Sequence, residues 1–226
     1  EKAYLKAYSA DSMSAFGGIV AFNRKINEKI ANILISKFFE IIIAPSFSQK
    51  SKNVFKRKKR LILIETEKIS EDKRFEVKSV HNGYLVQEKN IIIFSKKNMK
   101  CVSNKKATNR QINDLIFAFK VSKHTKSNAI VLVKDRQTLG IGSGQTSRIS
   151  STKIALSKIP KKFNKSKFVA ASDAFFPFTD NIKLLIKKNC EAIIQPKGSI
   201  NDNKIINFAD SKKIPLYFSS YRFFRH

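Results

Sequence analysis

Apolar residues follow two rhythms that take turns along this chain. Solid runs of four, such as IVAF (19–22), IIIA (41–44) and IVLV (130–133), read as strands covered on both faces, and LILI (61–64) and IIIF (91–94) read as strands. FVAA (168–171), AIIQ (192–195) and PLYF (215–218) continue the series, while FEVKSV (75–80) and YLVQ (84–87) read as more ordinary strands. Between these runs the spacing changes to that of helices. Ile26, Ile30, Ile33, Leu34 and Phe38 share one helical face, and so do Ile112, Leu115, Ile116 and Phe119 behind a cap at Thr108 or Asn109. Residues 1–8, the stretch from Ser150 to Ile159 before Pro160, and the segments from Asn181 and Asn201 are further helices. Residues 50–60 read as a basic loop, and Asp135-Arg136 as the turn of a hairpin joining 128–134 to 138–142.

This alternation predicts an α/β layered fold with a largely buried sheet. The polar stretch 95–108 marks the internal boundary, giving a first part of residues 1–100 and a second of 101–226. EIIIAPSF (40–47) and AIIQPKGS (192–199) each run an apolar strand into proline and a small-residue turn. Two ordinary buried strands would look this way, and so would a duplicated α/β unit.

Composition narrows the class. A chain of 226 residues with 42% hydrophobic content can bury a substantial core. No apolar run approaches the ~20 residues that span a bilayer, and no secretory signal is visible. With two cysteines, no CxxC and three histidines, neither a zinc site nor a disulfide framework is expected, and the cytoplasm is the expected compartment. The opening residue is Glu1 rather than Met, which leads us to expect a piece of something longer. The net charge of +28 points toward nucleic acid. Only nine of the 45 cations are arginine, however, and bidentate phosphate contacts favour arginine. The lysine excess travels with abundant Ile, Asn and Phe, which we read as drift in an A/T-rich gene; balanced third-position bases would remove that reading. Lys56 to Arg60, five cations in a row, read as a solvated loop before a strand, with RNA contact as the alternative.

Four polar constellations stand out. LGIGSGQTSR (139–148) places three glycines and then Gln145, Thr146, Ser147 and Arg148 before a helix, an arrangement that suits an anion and is also an ordinary hairpin turn. It lacks the GK[ST] of a P-loop and the spacing of a dinucleotide fingerprint. KHTKSNAIV (123–131) sets His124, Lys126, Ser127 and Asn128 at the mouth of a buried strand. The terminal YRFFRH (221–226) packs two Phe between two Arg, either holding an arginine for an anion or plugging the core. SDAFFPFTDN (172–181) is a proline-stiffened aromatic corner with carboxylates and an amide at its rim, either a wall for a heteroaromatic ring or a core corner.

Together these stretches resemble the transformylase domain of the AICAR transformylase/IMP cyclohydrolase family. The carrying segments are DSMSAFGGIVAFNR (11–24), IIAPSF (42–47), KSVHNGYLVQ (78–87), VSKHTKSNAIVLVKD (121–135), GIGSGQTSR (140–148), ASDAFFPFTDNI (171–182), IIQPKGSI (193–200) and RFFRH (222–226), in family order across essentially the whole chain. The resemblance implies formyl transfer from 10-formyltetrahydrofolate to AICAR ribotide in purine biosynthesis. It also implies two tandem cytidine-deaminase-like units with mixed sheets flanked by helices, and a homodimer with neither membrane nor nucleic acid as partner. Catalysis would need no metal, and a structural potassium ion is left open. Transferred by position, the AICAR ribotide residues are Gly17, Glu40, Asn128, Arg148, Arg222 and Phe224. The folate positions are Met13, Phe16, Ile149, Phe175, Pro177, Phe178, Asp180, Asn181, Ser199 and Ile200. Asn128 and His226 are the catalytic candidates.

One departure matters. The family's Lys-His pair lies in a KH…NP motif upstream of SAFGG, and nothing before Asp11 matches it. The family's N-terminal cyclohydrolase domain has no counterpart either. A fragment of a longer enzyme or a truncated gene would both give this pattern. The 226-residue chain alone is therefore expected to be impaired or inactive in formyl transfer. A direct turnover assay checks this, and robust activity would refute it.

Overall fold

The computed structural model describes residues 1–66 and 75–225, and the chain divides into two units between Ile93 and Phe94. The first unit begins with helix α1 (Lys2–Ala10), followed by β1 (Gly18–Ala21), α2 (Glu28–Ile35), β2 (Phe39–Ala44), α3 (Gln49–Phe55) and β3 (Ile62–Glu65). Its sheet has the order β1-β2-β3 with all strands parallel. Asn27 opens α2 by accepting a hydrogen bond from the Ile30 amide at 3.1 Å, and Ser48 opens α3 by accepting from Ser51 at 3.1 Å. Tyr4, Leu34, Phe39, Ile42, Phe47 and Phe55 form the core between these helices and the sheet.

Three expectations are corrected here. The basic loop 50–60 begins as helix α3, because the Ser48 cap and the burial of Ser51 and Phe55 outweigh the run of cations. IVAF is not covered on both faces: β1 is an edge strand that alternates half-buried and exposed positions. IIIF is no strand at all, with Ile91 and Ile93 exposed and Phe94 buried in the second unit. After residues 67–74, which lie outside the described residues, β4 (Phe75–Val80) and β5 (Gly83–Glu88) pair with each other and, among the described residues, with no other strand. Their register places Phe75, Val77, Tyr84 and Val86 on one face, and all four are exposed.

The second unit contains β6 (Met99–Cys101), α4 (Asn109–Lys123), β7 (Ile130–Lys134), β8 (Gln137–Gly142), α5 (Arg148–Ser157), β9 (Phe168–Ser172), α6 (Asp180–Lys187), β10 (Cys190–Pro196), α7 (Asp202–Ser211) and β11 (Leu216–Ser219). They build a mixed sheet in the order β6-β11-β10-β9-β7-β8. β9, β10 and β11 are parallel, while β7 runs against β9 and β6 against β11. Because β6 lies in this sheet, a boundary drawn after residue 100 cuts through a strand. The central strands are buried along their length, as the solid apolar runs require.

The echo between EIIIAPSF and AIIQPKGS now has a topological counterpart. β2 and β10 are each the middle of three parallel strands, in β1-α2-β2-α3-β3 and β9-α6-β10-α7-β11. Both segments therefore leave their sheets at equivalent ends.

Local chemistry explains the second unit's regularity. Thr108 and Gln111 form a reciprocal capping box at the start of α4. Asp135 and Arg136 both adopt positive φ in the β7–β8 turn, a conformation usually left to Asn-Gly. The buried carboxylate of Asp114 compensates by accepting from both turn amides, at 2.9 Å and 2.7 Å. Gly140 and Gly142 let α5 lie directly on β8: a Cβ on Gly142 would sit 1.9 Å from the Ser151 carbonyl oxygen. Gly142→Ala is therefore expected to cost about 3 kcal/mol or more, since neither backbone can yield cheaply. Urea unfolding would measure this, and a neutral result would show that α5 can lift from the sheet.

Candidate functional site

In the second unit, five chain segments meet at one edge of the sheet. β9, β10 and β11 end there with Asp173, Lys197–Ser199 and Tyr221–Arg225 following. β7 starts there, since Ile130 pairs with Ser172, and β8 ends there, since Gly142 pairs with Ile130. The carboxyl ends of parallel strands are where α/β sheets bind ligands, because backbone N–H groups and loop side chains converge without strands to occupy them. The four constellations separated in sequence thus share one edge.

Asp173 organises that edge. Its side chain is fully buried. Oδ2 accepts from Ser127 Oγ at 2.5 Å, and Oδ1 faces the Arg148 guanidinium at 3.5 Å. Arg148 is itself mostly buried; desolvation draws its pKa down while the Asp173 charge acts in the opposite sense, and a guanidinium stays protonated through both. Neither Asp173 Oδ1 nor Arg148 Nε makes a hydrogen bond within the chain. Buried Gln195 likewise uses only its oxygen, accepting from the Phe176 amide at 3.1 Å. Unpaired polar atoms of this kind are uncommon in a finished interior and mark an edge where further hydrogen bonds can form.

The polar residues of KHTKSN divide between scaffold and site. Asn128 follows a cis peptide after Ser127 and donates through Nδ2 to the Gln145 carbonyl at 2.8 Å, linking the mouth of β7 to the glycine loop. Ser151 Oγ donates to the Asn128 carbonyl. His124 caps α4 and is exposed; partial desolvation together with Lys123 and Arg225 lowers its pKa.

The carboxyl-terminal tail answers both readings of YRFFRH at once. Phe223 is a plug, 4.7 Å from the Phe119 ring and within the cluster that includes Phe94. Its amide donates to the Asp173 carbonyl, and Ser127 and Arg225 exchange backbone and hydroxyl hydrogen bonds. An extended tail alternates sides, so Arg222 and Phe224 face outward when Phe223 faces in. Arg222 lies over the Phe175 ring at 5.1 Å. A Cβ on Gly198, whose φ is +113°, would stand 2.6 Å from the Arg222 guanidinium, so glycine clears its path. His226 lies outside the described residues.

The aromatic corner is split by function. Phe176 enters the core, Phe175 is half-buried against Arg222, and Phe178 is exposed. Pro177 supplies a carbonyl that accepts from Asn201 Nδ2. Asp180 opens α6 and is exposed, whereas Asn181 is buried: it accepts from Thr152 at 2.7 Å and donates to Asp180 at 2.9 Å, tying α5 to α6. Ile149 and Ser199 are half-buried, and Ile200 is fully exposed.

In the first unit, Met13 and Phe16 are exposed, and the Phe16 ring packs on Phe38 at 5.0 Å. Gly17 has φ +69° and bonds the Phe38 carbonyl, and its α-carbon faces the Glu40 carboxylate. The structure thus brings Gly17 and Glu40 together. The sequence reading overlooked Ser127 and Asp173 as working residues. Asp173 stood in the quoted corner, but as a rim carboxylate; the mouth of β7, the start of α5 and the tail meet it there, and it is fully buried.

A sequence profile described as the AICARFT/IMPCHase bienzyme matches residues 1–158. A bifunctional purine biosynthesis protein PurH from Fusobacterium nucleatum is 46% identical over 226 residues, covering 100% of this chain and 44% of the relative. Its namesake from a Thermoanaerobacter species is 46% identical over 224 residues, covering 99% and 44%. That from Aquifex aeolicus is 42% identical over 227 residues, covering 100% and 44%. The chain spans less than half the length of these relatives.

The Asp173 node has a direct test. Asp173→Ala strands the buried Arg148 charge and is expected to cost about 3–5 kcal/mol, whereas Asp173→Leu combined with Arg148→Met should cost much less. Equal losses in urea titrations would refute the pairing.

Proposed function

The chain belongs to the AICARFT/IMPCHase bienzyme family, and from that premise we propose that it carries part of the site that formylates AICAR ribotide with 10-formyltetrahydrofolate in purine biosynthesis. One observation carries the reading. The Arg222 guanidinium lies over Phe175 at the sheet edge that also holds the Arg148–Asp173 pair, a combination suited to an anion attached to a flat heterocycle.

In this reading Arg222 takes the ribotide phosphate, and Arg148, restrained by Asp173, supplies a second fixed positive charge. Asn128, anchored to Gln145, orients the carboxamide or the formyl oxygen, while Gly17 and Glu40, which lie together in the first unit, are nucleotide positions by the family resemblance. Phe175, Pro177, Phe178 and Ile200 form the pterin-facing wall, to which Ile149 and Ser199 contribute from the half-buried rim, with Met13 and Phe16 as the first unit's folate contacts. The exposure of Met13, Phe16, Phe178 and Ile200 supports an apolar ligand, because large apolar side chains gain by leaving water. Asp180 addresses the pterin donors, while Asn181 works by holding α5 and α6.

The chemistry needs little more than placement. The AICAR amine is a weak nucleophile because its lone pair is delocalised into the imidazole. Its nitrogen attacks the formyl carbon, the bond from that carbon to folate N10 breaks, and the proton lost by the amine is matched by one gained at N10. Holding amine and formyl at near-attack distance supplies much of the acceleration, and positive charge and amide N–H groups stabilise the oxyanion between the two steps. The family's upstream Lys-His pair would handle the oxyanion and the proton, and His226 is this chain's own candidate for the latter. The Asp173 carboxylate does not fit a structural potassium ion, since its Oδ1 faces the Arg148 guanidinium at 3.5 Å and its Oδ2 accepts from Ser127 Oγ. The functional unit is expected to be a homodimer in the cytoplasm.

Calorimetric titration with AICAR ribotide and with its phosphate-free riboside tests the assignment. Arg222→Ala is expected to weaken the ribotide about 10- to 100-fold, the range for losing charged hydrogen bonds, and to leave the riboside nearly unchanged. Equal weakening of both would remove Arg222 from the phosphate.

A further inference from the structure

The proposed folate wall is carried by two segments that are separate in the chain. Phe175, Pro177 and Phe178 stand in the corner between β9 and α6, and Ser199 and Ile200 stand in the loop between β10 and α7. A flat ring resting on both is sensitive to their spacing, so whatever joins the two segments sets the shape of the wall. Two hydrogen bonds from β10 and the loop after it reach the corner. Fully buried Gln195 accepts from the Phe176 amide at 3.1 Å, and the Phe176 ring is itself buried. Asn201, next to Ile200, donates through Nδ2 to the Pro177 carbonyl at 2.9 Å. Phe176 is thus fixed by the core, whereas half-buried Pro177 and exposed Phe178 lie beyond that anchor, where Asn201 takes hold.

Asn201 sits where its side chain has another use. It is the N-cap of α7, and asparagine is favoured there because its side-chain oxygen accepts from an amide of the first helical turn. At the starts of α2, α3, α4 and α5, the N-cap residues Asn27, Ser48, Thr108 and Ser147 accept in this way. Asn201 makes no such bond, although its backbone carbonyl accepts from the Ile205 amide at 3.0 Å. Its side chain reaches instead to a distant carbonyl, and a carbonyl can only accept, so the amide nitrogen faces Pro177. Asp202 compensates at the helix end: its carboxylate lies at the positive end of the α7 dipole and accepts from the Gly198 amide at 2.8 Å. The Asn201 amide donates to Ser199 Oγ at 3.1 Å. The loop is therefore tied to itself, and one side chain joins it to the corner.

We infer that Asn201 is a positioning residue for the folate, its side chain fixing the distance between the Phe175–Phe178 corner and the Ser199–Ile200 loop. The inference rests on the folate reading above. The AICAR ribotide residues are held by other means: Arg148 by Asp173, Asn128 by Gln145, and Gly198, which borders Arg222, by Asp202.

The experiment titrates the 226-residue chain with tetrahydrofolate and, separately, with AICAR ribotide by calorimetry, in the parent and in Asn201→Ala and Asn201→Asp. Aspartate caps a helix as well as asparagine does but cannot donate to Pro177, and alanine removes the donor without adding charge. Both variants should bind tetrahydrofolate about three- to tenfold more weakly, the factor that one net hydrogen bond contributes, and AICAR ribotide within about twofold of the parent. The urea midpoint of Asn201→Asp should stand at or above that of the parent. Unchanged tetrahydrofolate affinity in both variants overturns the positioning role and leaves the folate reading standing. A loss confined to Asn201→Asp does the same, since added charge would then be the cause. If both ligands weaken together and the Asn201→Asp midpoint falls, Asn201 is a structural strut and the inference fails. A parent chain that binds ribotide but not tetrahydrofolate removes the folate reading and this inference with it.

Discussion

A carboxylate fully withdrawn from water has to be neutralised from within the fold, and Asp173 imposes that requirement on the second unit. The carboxylate is met by two side chains, and a backbone hydrogen bond ties a third segment to the same residue. Ser127 brings the mouth of β7, Arg148 brings the start of α5, and the Phe223 amide, donating to the Asp173 backbone carbonyl, brings the carboxyl-terminal tail. Each partner lies on a different segment, so the node fixes the relative placement of all three. Arg222 and Asn128 owe their positions to it indirectly, one through the plugged Phe223 and the other through the peptide bond to Ser127.

Close packing then limits which residues can surround the node. α5 reaches Asp173 with Arg148 at its first turn only because Gly140 and Gly142 let the helix lie directly on β8. Gly198 plays the corresponding part for Arg222. In each case the glycine contributes nothing chemically; it makes room for a charge or a helix to approach. The glycines of GIGSG thus serve helix–sheet packing as much as any anion, and that explains why a phosphate-loop signature is absent from a segment so rich in glycine.

The two units use the same parallel β-α-β-α-β plan and finish it differently. In the second, the three strands are interior members of a six-stranded sheet, so their ends are walled by β7, β8 and the tail. In the first, the three strands stand as a sheet of their own among the described residues. Its candidate residues are correspondingly open: Met13, Phe16 and Glu40 are exposed, whereas Asp173, Gln195 and Asn181 are buried. The same plan occurs twice, and the neighbours of each occurrence decide which chemistry is enclosed and which is presented.

The order of elements was legible in the sequence because it depends on local period and capping. Solid apolar runs gave the buried strands of the second sheet, and Thr108 marked the start of α4 as its capping box requires. The reading failed where tertiary neighbours outweighed local pattern. IIIF has the composition of a strand but forms none; Ile91 and Ile93 stay exposed while Phe94 is drawn into the ring cluster with Phe119 and Phe223. The site was legible as a set of motifs, since residue types suited to anions and flat rings can be seen one segment at a time. Which residues of those motifs would be enclosed was not, because burial of Asp173 and Asn181 and exposure of Phe178 are set by strands and helices far away in the chain. Sequence by itself determined the alternation of elements, the family and the inventory of polar groups. Only tertiary structure decided that Asp173 would be shut away from water and so paired with Ser127 and Arg148, since the cost of an unpaired buried charge exists only once the sheet has closed.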